Sequence, residues 1–384
     1  MRRLWRALRR SLAHAGTHSA AIVYDLTNQT QLYSLRDGMP LPPASVEKLY
    51  TTVALLKKLG ADARLHTSVY GAGHLGAGGV WHGDLFLRGD GDPTLGDGTF
   101  IRVWDLGSGT NLADLAAAVR GAGIRSVTGS LIADASVFDG SPGGPATNYG
   151  PDIPDFGGQL SGLTFDHGAA GAGLGPAAFA ARQLATMLRA AHVQVNASPA
   201  TGKTPHDAHK LATVASPRLA TLLRLMDVPS DDLFAELLTK QLGARYEHRG
   251  TIGAGAKVIS DVIGGYGLHP TILDGSGLDR DDRSSAHEVE SLLRLVWNTD
   301  EGRVLAASLP RIGMQGTVRR IGTGTPAQGR CVGKTGTLNN VTNLAGYCHS
   351  AGHRMLAYAL FIDGPSNLQA IALLSQMVAA IQRY

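Results

Sequence analysis

Little in this chain could hold a metal, cross a membrane or grip nucleic acid. There are two cysteines, Cys331 and Cys348, and no histidine or cysteine spacing of the kind that binds zinc; no metal and no cofactor is expected. Aromatic residues are 6% of the chain and charged residues 17%, and the formal net charge of +4 is spread along it. No basic stripe is interleaved with aromatics, which argues against a nucleic-acid partner. A weakly basic protein would still be drawn to an anionic polymer. No apolar run approaches the ~18 residues of a transmembrane helix. What is abundant is glycine, 50 of 384 residues, about twice the usual share. Such a composition suits an ordered, loop-rich enzyme, and the length allows two or more domains with a sizeable core.

Residues 2–14 carry Arg2, Arg3, Arg6, Arg9 and Arg10, with Leu4, Trp5, Leu8 and Leu12 at helical spacing. The segment lacks the uninterrupted apolar core of a signal peptide. It reads as an amphipathic first helix with a solvated basic face, so membrane association is at most peripheral.

Lysine is scarce too, which makes the position of Lys48 informative. Ser45-Val46-Glu47-Lys48 follows Pro42-Pro43-Ala44 and precedes a long apolar run. Residues i and i+3 share a helix face, so the Lys48 amine can reach the Ser45 hydroxyl. A neutral lysine there would take the serine proton during attack. Amides of the first helical turn could stabilise the developing negative charge. The plain alternative is a capped helix with a solvated lysine. Two further segments argue against it. Pro229-Ser230-Asp231-Asp232 opens a helical run, and Gly333-Lys334-Thr335-Gly336-Thr337 sits in a strand-like stretch. This order of three motifs is that of β-lactamases and penicillin-binding proteins.

The resemblance extends beyond the motifs. Gly83-Asp84-Leu85-Phe86-Leu87 with Gly89-Asp90-Gly91-Asp92-Pro93-Thr94-Leu95, Asp134-Ala135-Ser136-Val137-Phe138-Asp139-Gly140, Asp274-Gly275-Ser276-Gly277-Leu278-Asp279-Arg280 and Leu344-Ala345-Gly346-Tyr347 follow in family order. The chain thus resembles the low-molecular-mass class C penicillin-binding proteins, the D-alanyl-D-alanine carboxypeptidase/endopeptidase family. The resemblance implies an α+β transpeptidase-type domain, an antiparallel sheet flanked by helices, with a smaller, mostly-β domain inserted. The catalytic domain would comprise 1–59 and 210–384, and the insert 60–209.

It also implies roles. Ser45 would be the nucleophile and Lys48 the base, with the backbone amides of Ser45 and Thr337 as oxyanion hole. Ser230 would relay a proton to the leaving amine; its plain alternative is a helix N-cap. Lys334, Thr335 and Thr337 would hold the substrate's terminal carboxylate, and Gly336 would let the substrate backbone approach. Asp134, Arg280 and Asn339 would line a subsite for a diaminopimelate side chain, although Asp134 could instead cap a turn and Arg280 form a structural ion pair. One position departs from the family, where asparagine is usual: Asp232, whose ionised carboxylate can only accept hydrogen bonds.

The partners implied are peptidoglycan stem peptides and β-lactams, and the compartment is extracytoplasmic, with no signal peptide visible in this chain. A wall-binding scaffold with a disabled site and a β-lactamase are the competing readings. Cys331 and Cys348 would face each other if the intervening turn centres on Asn339-Asn340. An oxidising compartment would then allow a disulfide, and two small buried thiols are the expected state.

Overall fold

Strand-forming runs from the two ends of the chain meet in one sheet. A computed structural model describes residues 1–150, 157–171, 173–196 and 200–384. In it Cys331–Leu338, Val341–His349, Met355–Asp363, Ser19–Asp25 and Thr30–Leu35 lie side by side in that order. Every neighbouring pair is antiparallel. The first helix, Arg2–Ala15, buries Leu4, Leu8, Leu12 and Ala15 in a core shared with Val23, Leu344, Tyr358, Leu374 and Met377. The closing helix Asn367–Gln382 contributes the last two. All five arginines of the first helix remain exposed, as its amphipathic pattern predicts. Trp5 leaves the buried stripe and meets Tyr33 edge-on, with ring centroids 5.1 Å apart.

Helix Ala286–Val296 starts with a capping box between Ser285 and Glu288, which satisfies amides that would otherwise lack acceptors. From it Leu293 offers its carbonyl to the Tyr347 hydroxyl at 2.8 Å. Its Glu290 is 1% exposed, with Arg294 Nε 3.6 Å away. Burial pushes this carboxyl up to about 7 against the pull of Arg294, and Asp37 adds to the rise. A raised folded value means that the stabilisation is fully present below the unfolded value of 4.5 and is lost as pH rises through about 7. Glu290→Gln should therefore leave Tm at pH 4.5 nearly unchanged and raise it at pH 8, by up to about 3 kcal/mol of stability. Equal effects at both pH values in thermal melts would contradict this reading.

The chain divides into two units. Met1–Ala61, Leu223–Ala235 and Ala256–Tyr384 form the first, and Asp62–Leu222 with Glu236–Gly255 form the second. Sequence reading puts the return to the catalytic part at 210. Here strand His209–Ala215 instead pairs with His66–Leu75, and Ser216 binds both Arg64 and Leu65. Helix Asp232–Tyr246 contributes to both units. Its later half is tied to the second by Lys240, which donates to Asp139 Oδ1 at 2.6 Å and the Ser141 carbonyl at 2.8 Å. Gln241 binds the Asp90 carbonyl. Nothing in the local sequence marks a helix that two units share.

The second unit is built on His209–Ala215, His66–Leu75, Val80–Arg88, Leu131–Asp134 and Ala200–Thr201 in sheet order. Helices Leu112–Gly121 and Pro176–Ala190 pack on this sheet through Leu115, Val119, Leu184 and Leu188 against Val69, Leu85 and Leu87. The glycine- and proline-rich stretch 140–162 contains a short 3-10 turn, Pro145–Thr147; residues 151–156 lie outside the described residues.

Cys331 and Cys348 are directly opposed in the first hairpin, whose turn is Asn339–Asn340. Their sulfurs are bonded to each other, which corrects the expectation of two free thiols. Directly opposed positions on an antiparallel pair bring two Cβ atoms within disulfide reach.

Candidate active site

Two prolines and a left-handed alanine set up the first motif. Ala44 has φ +48°, and Ala44–Glu47 forms a 3-10 turn that passes into helix Lys48–Leu59. The helix thus begins three residues later than the Ser45 start expected from sequence. The facing of positions 45 and 48 survives, because one tight turn also brings i and i+3 together. Lys48 is fully buried. Its amine donates to Ser45 Oγ at 3.1 Å, to Asp232 Oδ1 at 2.5 Å and to the Ser276 carbonyl at 2.8 Å. Three donors meet three acceptors, so the ammonium is saturated.

Ser230 is not the helix cap. Asp231 Oδ1 accepts from the Phe234 amide at 2.9 Å, while Ser230 takes φ +66°, a conformation costly for a residue with a Cβ. Its hydroxyl is thereby free to accept from Lys334 Nζ at 2.6 Å. Asp232 is the first residue of the following helix. Burial raises its carboxyl above the ordinary value, against the opposing effect of the Lys48 charge.

Lys334 lies on Cys331–Leu338, an edge strand of the first sheet. The amides of Cys331 and Gly333 point away from the neighbouring strand, to the carbonyls of Ala327 and Pro310. With a period of two, Thr335 and Thr337 turn their amides to the same open edge. Lys334 is fully buried. Burial and then the Lys48 charge push its amine down to about 7, with Asp227 and Asp232 pulling upward. The Thr335 hydroxyl pairs with that of Thr317 at 2.6 Å, whereas Thr337 is exposed. Gly336 serves a purpose the sequence did not suggest. A Cβ there would stand 2.3 Å from the Pro43 carbonyl, so glycine is needed for the turn carrying Ser45 to lie against this strand.

Several contributors to the site carry no motif. Asn343 Nδ2 donates to the carbonyls of Pro42 and Pro43 at 2.9 and 3.0 Å and fixes that turn on the sheet; an asparagine inside an apolar strand was its only signal. Asp227 is fully buried and accepts from Ser308 Oγ at 2.6 Å. Burial pushes it up to about 6, opposed by the Ser308 hydroxyl, Lys334, Thr52 and Lys48. It adds negative charge near both lysines.

The residues of the expected side-chain subsite belong to both units. Arg280 and Asn339 are in the first unit, both exposed, and Arg280 Nη2 donates to the Asn339 carbonyl at 3.1 Å. Asp134 is in the second unit and 1% exposed. Its oxygens accept from the Ser136 amide at 2.9 Å and the Thr204 amide at 2.8 Å. Burial would raise its carboxyl, but the bonds from Ser136 and Thr204 outweigh that and hold it low.

A hydroxyl in contact with a buried amine, a second hydroxyl on a second buried amine and an open strand edge together suit nucleophilic attack on a peptide bond. Comparison with known proteins agrees. The model of the D-Ala-D-Ala carboxypeptidase 3 (S13) family matches residues 9–174 and 158–384. A D-alanyl-D-alanine carboxypeptidase of an Actinomadura species is 27% identical over 96% of this chain and 82% of its own length. That alignment runs over 456 positions, more than this chain contains, so the relative carries residues absent here. Carboxypeptidase DacB of Mycolicibacterium smegmatis is 30% identical over 93% of this chain and 79% of its own. Penicillin binding protein 4 of Haemophilus influenzae shares the fold, with a TM-score of 0.83 at 19% identity, covering 98% of this chain and 99% of that one.

Proposed function

Because this chain belongs to the D-Ala-D-Ala carboxypeptidase 3 (S13) family, we propose that it is a serine-type D-alanyl-D-alanine carboxypeptidase and endopeptidase acting on peptidoglycan stem peptides. The observation that carries the reading is the Lys48 amine 3.1 Å from the Ser45 hydroxyl. Ser45 Oγ attacks the carbonyl of the penultimate D-alanine while Lys48, once deprotonated, takes its proton. The amides of Ser45 and Thr337 receive the oxyanion. The stem peptide adds to the open edge of the Lys334 strand, and the Lys334 ammonium and Thr337 hydroxyl receive its terminal carboxylate. Ser230, bonded to Lys334, passes a proton to the departing amine, and the C–N bond breaks. Water then hydrolyses the ester on Ser45. A penicillin follows the same first step, but its amine stays tethered and the ester persists.

A stem peptide ending in D-Ala-D-Ala and a dimer cross-linked through D-alanine test this directly. Release of D-alanine or cleavage of the cross-link, stopped by one equivalent of penicillin, is expected. No release from either would contradict it. A second reading, a wall-binding scaffold, is favoured by one observation, the bond between Lys48 and Asp232; a scaffold would form no penicillin adduct.

The compartment follows from the substrate. Peptidoglycan lies outside the cytoplasmic membrane, and the Cys331–Cys348 disulfide suits an oxidising environment. Among the described residues no helix is long and apolar enough to cross a membrane.

Arg280 and Asn339 are proposed to read the zwitterionic end of the third stem residue. Arg280→Ala should then lower kcat/KM for diaminopimelate-containing peptides about tenfold more than for a simple acylated D-Ala-D-Ala. Equal losses on the two substrates would make Arg280 structural.

A further inference from the structure

The carbonyl that accepts from Lys48 belongs to Ser276, far away in sequence, and its position depends on one carboxylate. Asp274 is 1% exposed. Its Oδ1 accepts from the amides of Ser276 and Gly277 at 3.0 and 2.6 Å, and its Oδ2 accepts from the Asp279 amide at 2.9 Å. Three backbone amides turned onto one side chain leave the carbonyls of this loop pointing outward, towards the nucleophile helix. The Gly275 carbonyl takes the Thr51 hydroxyl at 2.8 Å, and the Ser276 carbonyl takes Lys48 Nζ at 2.8 Å. Gly277, at φ +78°, lies so close to the turn before Ser45 that a Cβ would stand 2.1 Å from the Ala44 carbonyl.

We propose that Asp274 is a positioning residue for the reaction: through the Ser276 carbonyl it aims the Lys48 amine at Ser45. It touches neither substrate nor reacting atoms. A lysine on four single bonds has many rotamers, and acceptors on fixed backbone select one. Asp232 alone would leave the amine free to swing about that contact. With the Ser276 carbonyl as a second acceptor, the remaining direction on the nitrogen faces the Ser45 hydroxyl.

The inference rests on the proposed acyl-enzyme chemistry, and its test separates the two. Acylation by a fluorescent penicillin is followed in the full chain, in Asp274→Asn and in Asp274→Ala. The maximal rate constant and the half-saturating concentration are read per acylable site, so a partly misfolded sample changes the amplitude and not the rate constant. The carboxylate oxygens of Glu47, Asp274 and Asp282 lie within 4.8 Å of one another. Asparagine keeps one acceptor oxygen for the loop amides where alanine keeps none, so Asp274→Asn should lose less Tm than Asp274→Ala.

The maximal rate should fall about 10²-fold in Asp274→Ala, the cost of misplacing a group by about 1 Å, and less in Asp274→Asn. The half-saturating concentration should stay within about twofold, because the penicillin-binding strand is untouched. Variants that acylate as fast as the parent, or that lose only affinity, would overturn the inference. A parent chain that forms no adduct would instead overturn the proposed activity.

Discussion

Ser45→Ala should abolish covalent capture of penicillin and lower D-alanine release by at least roughly 10⁴-fold, with Tm within about 2 °C of the parent. The large loss follows because no ester can form without the hydroxyl. The small effect on Tm follows from what remains. Lys48 keeps its bonds to Asp232 and to the Ser276 carbonyl, and the turn around Ser45 is held by Asn343 through the carbonyls of Pro42 and Pro43. One hydrogen bond of the ordinary kind, about 1 kcal/mol net, is lost. Undiminished labelling of this variant would remove Ser45 from the nucleophile's role, and a collapse in Tm would make the hydroxyl structural.

Asp232→Asn is expected to speed acylation by about tenfold or more at neutral pH. The 2.5 Å contact between Lys48 Nζ and Asp232 Oδ1 is a salt bridge, and in a salt bridge the lysine is an ammonium, which cannot accept the Ser45 proton. An asparagine keeps an acceptor for Lys48 without the charge, and its amide can donate to the substrate, which an ionised aspartate cannot do. Both changes favour attack. The cost is a buried charge left with a weaker partner, so some stability is lost even as the rate rises. Unchanged or slower acylation in the asparagine variant would show that the ion pair does not limit the chemistry.

The parts of the site legible in sequence are those whose function demands a particular side chain at a particular spacing. Ser45 and Lys48 face each other whether the turn is α or 3-10, and Lys334 on an edge strand reaches Ser230 as its motif suggests. A turn at Asn339-Asn340 also predicted the opposition of the two cysteines. What stayed hidden is supplied by backbone or by distant neighbours. The Ser276 carbonyl has no side-chain signature. Gly336 suggested space for a substrate, and it also makes space for the Pro43 carbonyl. Ser230 and Asp231 are equally good caps by composition, and only the left-handed turn at Ser230 decides between them. Whether Cys331 and Cys348 bond depends on compartment as well as register, and sequence carries register alone. The division of the chain was blurred for a similar reason, since the ties from Lys240 and Gln241 to Asp139 and Asp90 join residues about a hundred or more positions apart.

The claim on which the rest depends is that Ser45 forms an ester with its substrate's acyl group. Intact mass of the unaltered chain after incubation with benzylpenicillin, followed by peptide mapping, tests it most directly. One adduct with the full mass of the penicillin per chain, carried by the peptide containing Ser45, is expected. A chain that gains no mass, or gains it on any other residue, would contradict it.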